Sequence, residues 1–181
     1  MRSFSISVSL LAIIAFSAMG ALPARADAGG DLENALLNTF KAPSYHMHMN
    51  MDNGDVIDGD VVTPDRMHLV VKNGEMMAIG QTTYFKLNGA WHKLPGVNPM
   101  LTRADLLHTL QASKGKYTVD DLGIKMVDGG PLHTYRTTDL ANKKTTLVYV
   151  DGEHRIVRID TGRDIMRFTK FGENVSITPP M

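Results

Sequence analysis

The chain reads as an α+β protein: a strongly curved antiparallel sheet with helices packed on its concave face. Three observations predict this. Period-two alternation of apolar and polar residues recurs from Ser44 nearly to the C-terminus. Turn signals punctuate it at Asn53-Gly54, Asn73-Gly74, Asn88-Gly89, Gly129-Gly130 and Asp151-Gly152. Helical periodicity appears in just two places, one before the strands and one among them. Roughly ten to twelve strands in a domain this small cannot lie flat, so they must curl into a bent sheet or partial barrel.

Asp31 to Ala42 predicts the first helix, with Asp31 as N-cap and Leu32, Leu36, Thr39 and Phe40 on one face. Pro43 then forces extension. Ser44 to Met51 is the first strand, placing Met47, Met49 and Met51 on one face and His46, His48 and Asn50 on the other. Val56 to Thr63 returns, and Pro64-Asp65 ends it. Arg66 to Lys72 and Glu75 to Ile79 flank the Asn73-Gly74 turn. Ile79 to Pro95 folds as a hairpin about Asn88-Gly89 and carries the single Trp of the chain, Trp91. Thr102 to Ser113 is the second helix, opened by a capping-box-like Thr-Arg-Ala-Asp and carrying Leu106, Leu107 and Leu110. Tyr117 to Val127, broken at Asp120-Asp121, resumes the strands. Leu132–Thr138, Thr145–Val150, Arg155–Asp160, Ile165–Phe171 and Val175–Ile177 complete them. The alternation predicts an apolar concave surface lined by Met47, Met49, Met51, Leu69, Val71, Met77 and Ile79 from the strands. Leu106, Leu107 and Leu110 line it from the helix. A slip of one residue would invert any strand's facing.

The N-terminus predicts export. Met1-Arg2 precedes an apolar run from Val8 to Met19, too short for a membrane span, and Ala24-Arg25-Ala26 forms a cleavage signal. Residues 1–26 therefore read as a secretory signal peptide and 27–181 as one mature domain in the periplasm; an uncleaved anchor is the other reading. The chain has no Cys, which excludes disulfides, thiolate metal sites and an N-terminal lipid-modified cysteine. Residues 27–181 hold 17 basic and 19 acidic side chains, without a basic stripe for nucleic acid. No second apolar run is long enough to span a membrane.

No G-x-S-x-G, H-E-x-x-H, P-loop or G-x-G-x-x-G occurs, so neither an enzyme nor a cofactor is expected. Two features bear on binding. Ten methionines fall after residue 26. Met is flexible and polarisable and suits surfaces that adapt to ligands, although a Met stripe on a strand also makes an ordinary core. His46-x-His48 beside that stripe raises copper handling, but alternation sets the His and Met on opposite faces. Two solvated histidines are the plainer reading.

Several segments together resemble a known family. They are the exported N-terminus and short helix, Ser44-Tyr45, Val61 to Arg66, Gly89-Ala90-Trp91, Lys93-Leu94-Pro95, Val148 to Asp151, Phe171-Gly172 and Val175 to Pro180. This pattern is similar to the outer-membrane lipoprotein carrier superfamily, the LolA-like proteins. The resemblance implies a half-barrel of about eleven strands whose mouth is closed by helices. It implies a binding protein for a lipid or the acyl chains of a lipoprotein in the envelope. A sensor or protein-interaction module on the same fold, with an envelope protein as partner, is the alternative. No ligand-contacting residue is carried over by motif.

Overall fold

Pro43 divides the first helix from the sheet, because its ring cannot continue a helix and the residue before it must extend. The computed structural model describes residues 27–96 and 103–180; the expected signal peptide lies outside them. Helix α1 (Ala28–Lys41) precedes β1 (Ser44–Asn50), β2 (Val56–Val62), β3 (Arg66–Val71), β4 (Gly74–Ile79), β5 (Thr82–Leu87) and β6 (Ala90–Pro95). Helix α2 (Arg103–Ser113) follows, then β7 (Tyr117–Val127), β8 (Gly130–Asp139), β9 (Thr145–Val150), β10 (Ile156–Asp160) and β11 (Ile165–Thr169). No helix among the described residues is long and apolar enough to cross a membrane.

All eleven strands form one antiparallel sheet in the order β6-β5-β4-β3-β2-β1-β11-β10-β9-β8-β7. Two meanders therefore meet where β1 pairs with β11. The free edges are β6 and β7, and α2 is the element that links them in sequence. The sheet is curved but not closed, an α+β half-barrel.

Three element ends differ from the sequence pattern. Helix α1 is capped by Asp27, whose Oδ1 accepts the Gly30 N–H at 3.1 Å, so Asp31 falls inside its first turn. There its carboxylate still complements the positive end of the helix dipole. Strand β7 runs on through Asp120-Asp121 and absorbs the irregularity as a bulge before Ile124, with Gly123 at φ +69°. Val175–Ile177 forms no strand; Ile177 is buried instead and its carbonyl accepts from Arg66 Nη1 at 3.0 Å.

Residues opposite each other in an antiparallel pair share a face, so the register fixes the facing of every strand. The row Leu69–Gly59–Met47–Phe168 faces inward, as do the rows through Met67–Val61–Tyr45 and through Ile57–Met49–Met166–Ile159–Val148. Helix α1 lays Leu32, Ala35 and Leu36 on this surface, all within 4 % of full burial, and α2 adds Leu110. Complete burial of one leucine stabilises by about 1.5–3 kcal/mol. Tyr45 sits at the centre of an aromatic group, edge-on to Phe40 and Phe168 at 6.3 and 5.7 Å and tilted against Phe171 at 6.1 Å. Each such ring pair adds about 0.5–1.5 kcal/mol.

Two local devices hold this arrangement. Thr39 is buried in the last turn of α1, donates to the Ala35 carbonyl at 2.9 Å and accepts the Ile156 N–H at 2.8 Å. It thereby ties the helix to the start of β10. Gly59 lies where β2 and β3 approach so closely that any Cβ would collide with the His68 carbonyl oxygen. A side chain there would force the strands apart.

Candidate functional site

The concave face is built mainly from methionine. Met47, Met49, Met67, Met76 and Met166 all project from it, together with Leu69, Val61 and Phe85. Met51 packs against the same cluster from just beyond β1. The period-two pattern of β1 places Met47 and Met49 there because Tyr45, Met47 and Met49 pair with Val61, Gly59 and Ile57.

The expected lining residues fall in four groups. Met47, Met49, Met51 and Leu69 belong to the inward cluster or pack on it. Val71 pairs with Ile57 and Gly74 on the same face and is half-buried. Met77 and Ile79 point to the opposite, convex face: Met77 pairs with His68 and Tyr84, while Met76 and Ala78 turn inward. The cause is the β3–β4 turn. Val71 pairs directly with Gly74, so Lys72-Asn73 form the two-residue loop and Gly74 already belongs to the strand. Any two-residue loop here pairs odd-numbered residues of β3 with even-numbered residues of β4, so Met76 and Ala78, not Met77 and Ile79, share the face of Leu69 and Val71. On α2, Leu110 is 2 % exposed and enters the core, whereas Leu107 is 42 % exposed and does not. The side chain of Leu106 lies outside the described residues.

Pattern reading missed Met67, Met76, Phe85, Met166, Tyr45 and Phe168 as inward residues. Met166 and Phe168 had a visible signal, the alternation of Ile165–Thr169. What was absent is the long-range pairing of β11 with β1, which sets them opposite Met49 and Met47.

The concave face also holds phenols. Burial pushes the Tyr45 hydroxyl far above the ordinary tyrosine range. Tyr135 is pushed up to about 12 by burial, with the Asp31 and Asp121 carboxylates adding to the effect. His133 stacks on Tyr135 at 4.7 Å, and its Nε2 is 2.7 Å from Asp121 Oδ1. At the other end of α1 a cavity of about 290 Å³ opens between Lys41, Pro43, Arg155 and Phe171. Arg155 lies 4.3 Å over the Phe171 ring and is paired with Asp151 at 2.8 Å.

The convex face is polar. His46 Nδ1 meets Asp60 Oδ1 at 2.8 Å, and His48 Nδ1 meets Asp58 Oδ2 at 2.6 Å. Glu75 joins His68 at 3.0 Å to Lys86 at 2.8 Å, and Lys86 lies 5.6 Å over Trp91. Trp91 is thus a half-buried residue of the outer face. Arg158 and Arg167 converge on Asp128 at 3.0 and 3.3 Å. The hydrogen bond from His48 holds Asp58 below the usual carboxylate range, and Arg158 does the same to Asp128. His46 and His48 therefore face away from the methionines, engaged with aspartates, and a mixed Met/His copper site is not assembled. Among the described residues no group of three His, Cys, Asp or Glu is arranged to hold a metal ion.

The architecture has counterparts among solved structures. The Mycobacterium tuberculosis lipoprotein LppX matches with a TM-score of 0.56 at 17% identity, over 82% of this chain and 97% of that one. LprF from Mycobacterium bovis matches with a TM-score of 0.56 at 17% identity, over 85% and 97%. The chain shares the fold of these two proteins. A LolA superfamily protein from Nitrosomonas europaea aligns over 84% of this chain and 96% of that one, at 11% identity and a TM-score of 0.34. No family model matches the chain, and no curated protein matches its sequence. At these identities the likeness to LppX and LprF shows the fold alone, and function rests on the residues themselves.

Proposed function

We propose that this chain is a non-enzymatic binding protein of the cell envelope that holds a lipid, or the acyl chains of a lipoprotein, against its concave face. In this reading residues 1–26 are removed on export and residues 27–181 act in the periplasm. The observation that supports it most is the convergence of five methionines, from β1, β3, β4 and β11, on one inward surface. Unbranched thioether side chains repack around chains of differing length and unsaturation at little cost. Burial of an acyl chain contributes about 0.8 kcal/mol per methylene, before the entropy of binding is subtracted.

The side chains of α1 and α2 occupy that face in the closed form, so loading requires one helix to lift. Helix α1 is fastened to the start of β10 through Thr39 and to the β9–β10 turn through Asn38, which donates to the His154 carbonyl at 3.2 Å. We therefore assign the movement to α2, which reaches the core through Leu110.

Native mass spectrometry of protein purified from its own periplasm tests the reading, with uptake of a fluorescent fatty acid by delipidated protein as the second readout. Co-purifying lipid and saturable uptake are expected, and Leu110→Asp should abolish uptake while the far-ultraviolet sheet signal persists. A protein that arrives empty and takes up no acyl chain refutes the proposal.

A further inference from the structure

We propose that the β7 side of the half-barrel's open mouth is a contact surface for an anionic lipid bilayer. Ile124 and Met126 are 71% and 73% exposed, the most exposed of the large apolar side chains among the described residues. They stand two residues apart on the edge strand β7, opposite His133 and Pro131, and so project side by side. Leu107 on α2, the element leading into β7, is also exposed. Apolar side chains exposed in a row at a sheet edge cost solubility unless something covers them.

Charge identifies what covers them. Residues 114–125, leading into and along β7, carry three Lys against two Asp, whereas the rest of residues 27–181 carries fourteen basic against seventeen acidic side chains. Both aspartates are engaged internally: Asp120 pairs with Arg136 at 2.9 Å, and Asp121 Oδ1 lies 2.7 Å from His133 Nε2. Lys114, Lys116 and Lys125 are exposed and form no ion pair with any described residue. An otherwise acidic protein thus presents unpaired lysines just before and within the edge strand that displays its apolar side chains. Apolar residues flanked by cations suit the headgroup boundary of an anionic membrane, where each lysine raises partitioning by about fivefold. Strand addition by a peptide is disfavoured at the same edge, because the bulge at Gly123 interrupts the regular ladder of free N–H and C=O groups.

This inference goes beyond the acyl-binding reading and is separable from it. Protein purified from its own cells is sedimented with vesicles of 3:1 phosphatidylethanolamine and phosphatidylglycerol, and with pure phosphatidylcholine vesicles. Binding to the anionic vesicles is expected to exceed binding to phosphatidylcholine by about tenfold, and to fall as salt is raised. Ile124→Ser/Met126→Ser and Lys114→Gln/Lys116→Gln/Lys125→Gln should each lower it by about fivefold or more. Both sets of side chains are exposed, so an unchanged circular dichroism spectrum and unchanged uptake of soluble fatty acid are expected in both variants. Equal binding by wild type and variants overturns the proposal. So does binding indifferent to phosphatidylglycerol, or a dimer of wild type that Ile124→Ser/Met126→Ser dissociates, which would make the surface a self-association site.

Discussion

Met76 and Met77 are neighbours in β4, equally buried at 8%, yet the register sends them to opposite faces. Replacing each in turn with glutamine separates the faces, since glutamine has nearly the same length and volume. In Met76→Gln the new amide lies between Leu69 and Phe85, its two apolar partners across the flanking strands. An amide buried without a hydrogen bond costs about 1–3 kcal/mol, and the lost apolar transfer adds about 1 kcal/mol. The sum, about 2–4 kcal/mol, is a large share of the 5–15 kcal/mol typical of a folded domain. With a urea m-value of about 2 kcal/mol per molar, the midpoint should fall by about 1–2 M. In Met77→Gln the amide lies between His68 and Tyr84 on the polar face, and the loss should stay near 1 kcal/mol or less. Equilibrium urea unfolding followed by circular dichroism measures both, and fatty-acid uptake should fall only for Met76→Gln. Equal losses, or a larger loss for Met77→Gln, would mean that the register argument has the faces reversed.

Two further outcomes follow from local geometry. Thr39→Val removes the acceptor of the buried Ile156 N–H and should destabilise by about 1–3 kcal/mol, with amide exchange rising at the start of β10 and in the last turn of α1; protection unchanged at Ile156 would show that the helix is held otherwise. Tyr135, pushed up to about 12, favours the neutral phenol in the folded state, so its contribution is complete below the unfolded value near 10 and is lost between there and about 12. Tyr135→Phe should therefore lose about 2–3 kcal/mol less than wild type across that window in alkaline unfolding, and parallel curves would contradict the assignment.

The sequence by itself determined the fold class and nearly every strand, because period-two alternation and Gly-containing turns are local signals. It also set His46 and His48 apart from Met47 and Met49, since opposite facing of alternate residues is a property of any strand. The two Asn-Gly turns show where local signals stop. Asn88-Gly89 occupies the two turn positions, both at positive φ, with Leu87 paired to Ala90. In the β3–β4 connection the same dipeptide is displaced by one, and its glycine is used within β4, where a Cβ would strike the Lys86 carbonyl oxygen of β5. Either placement puts Met76 on the face of Leu69; packing against the third strand decides only that Met76, and not Ala78, sits directly opposite Leu69. The pairing of β1 with β11 is likewise tertiary information; it closes a separation of more than a hundred residues and brings Met166 to Met49. Leu107 and Leu110 likewise share one helix, and their different burial is decided by how that helix meets the mouth of the sheet. Spacing along the chain prescribes which residues can share a face; contacts between distant segments decide which face is buried.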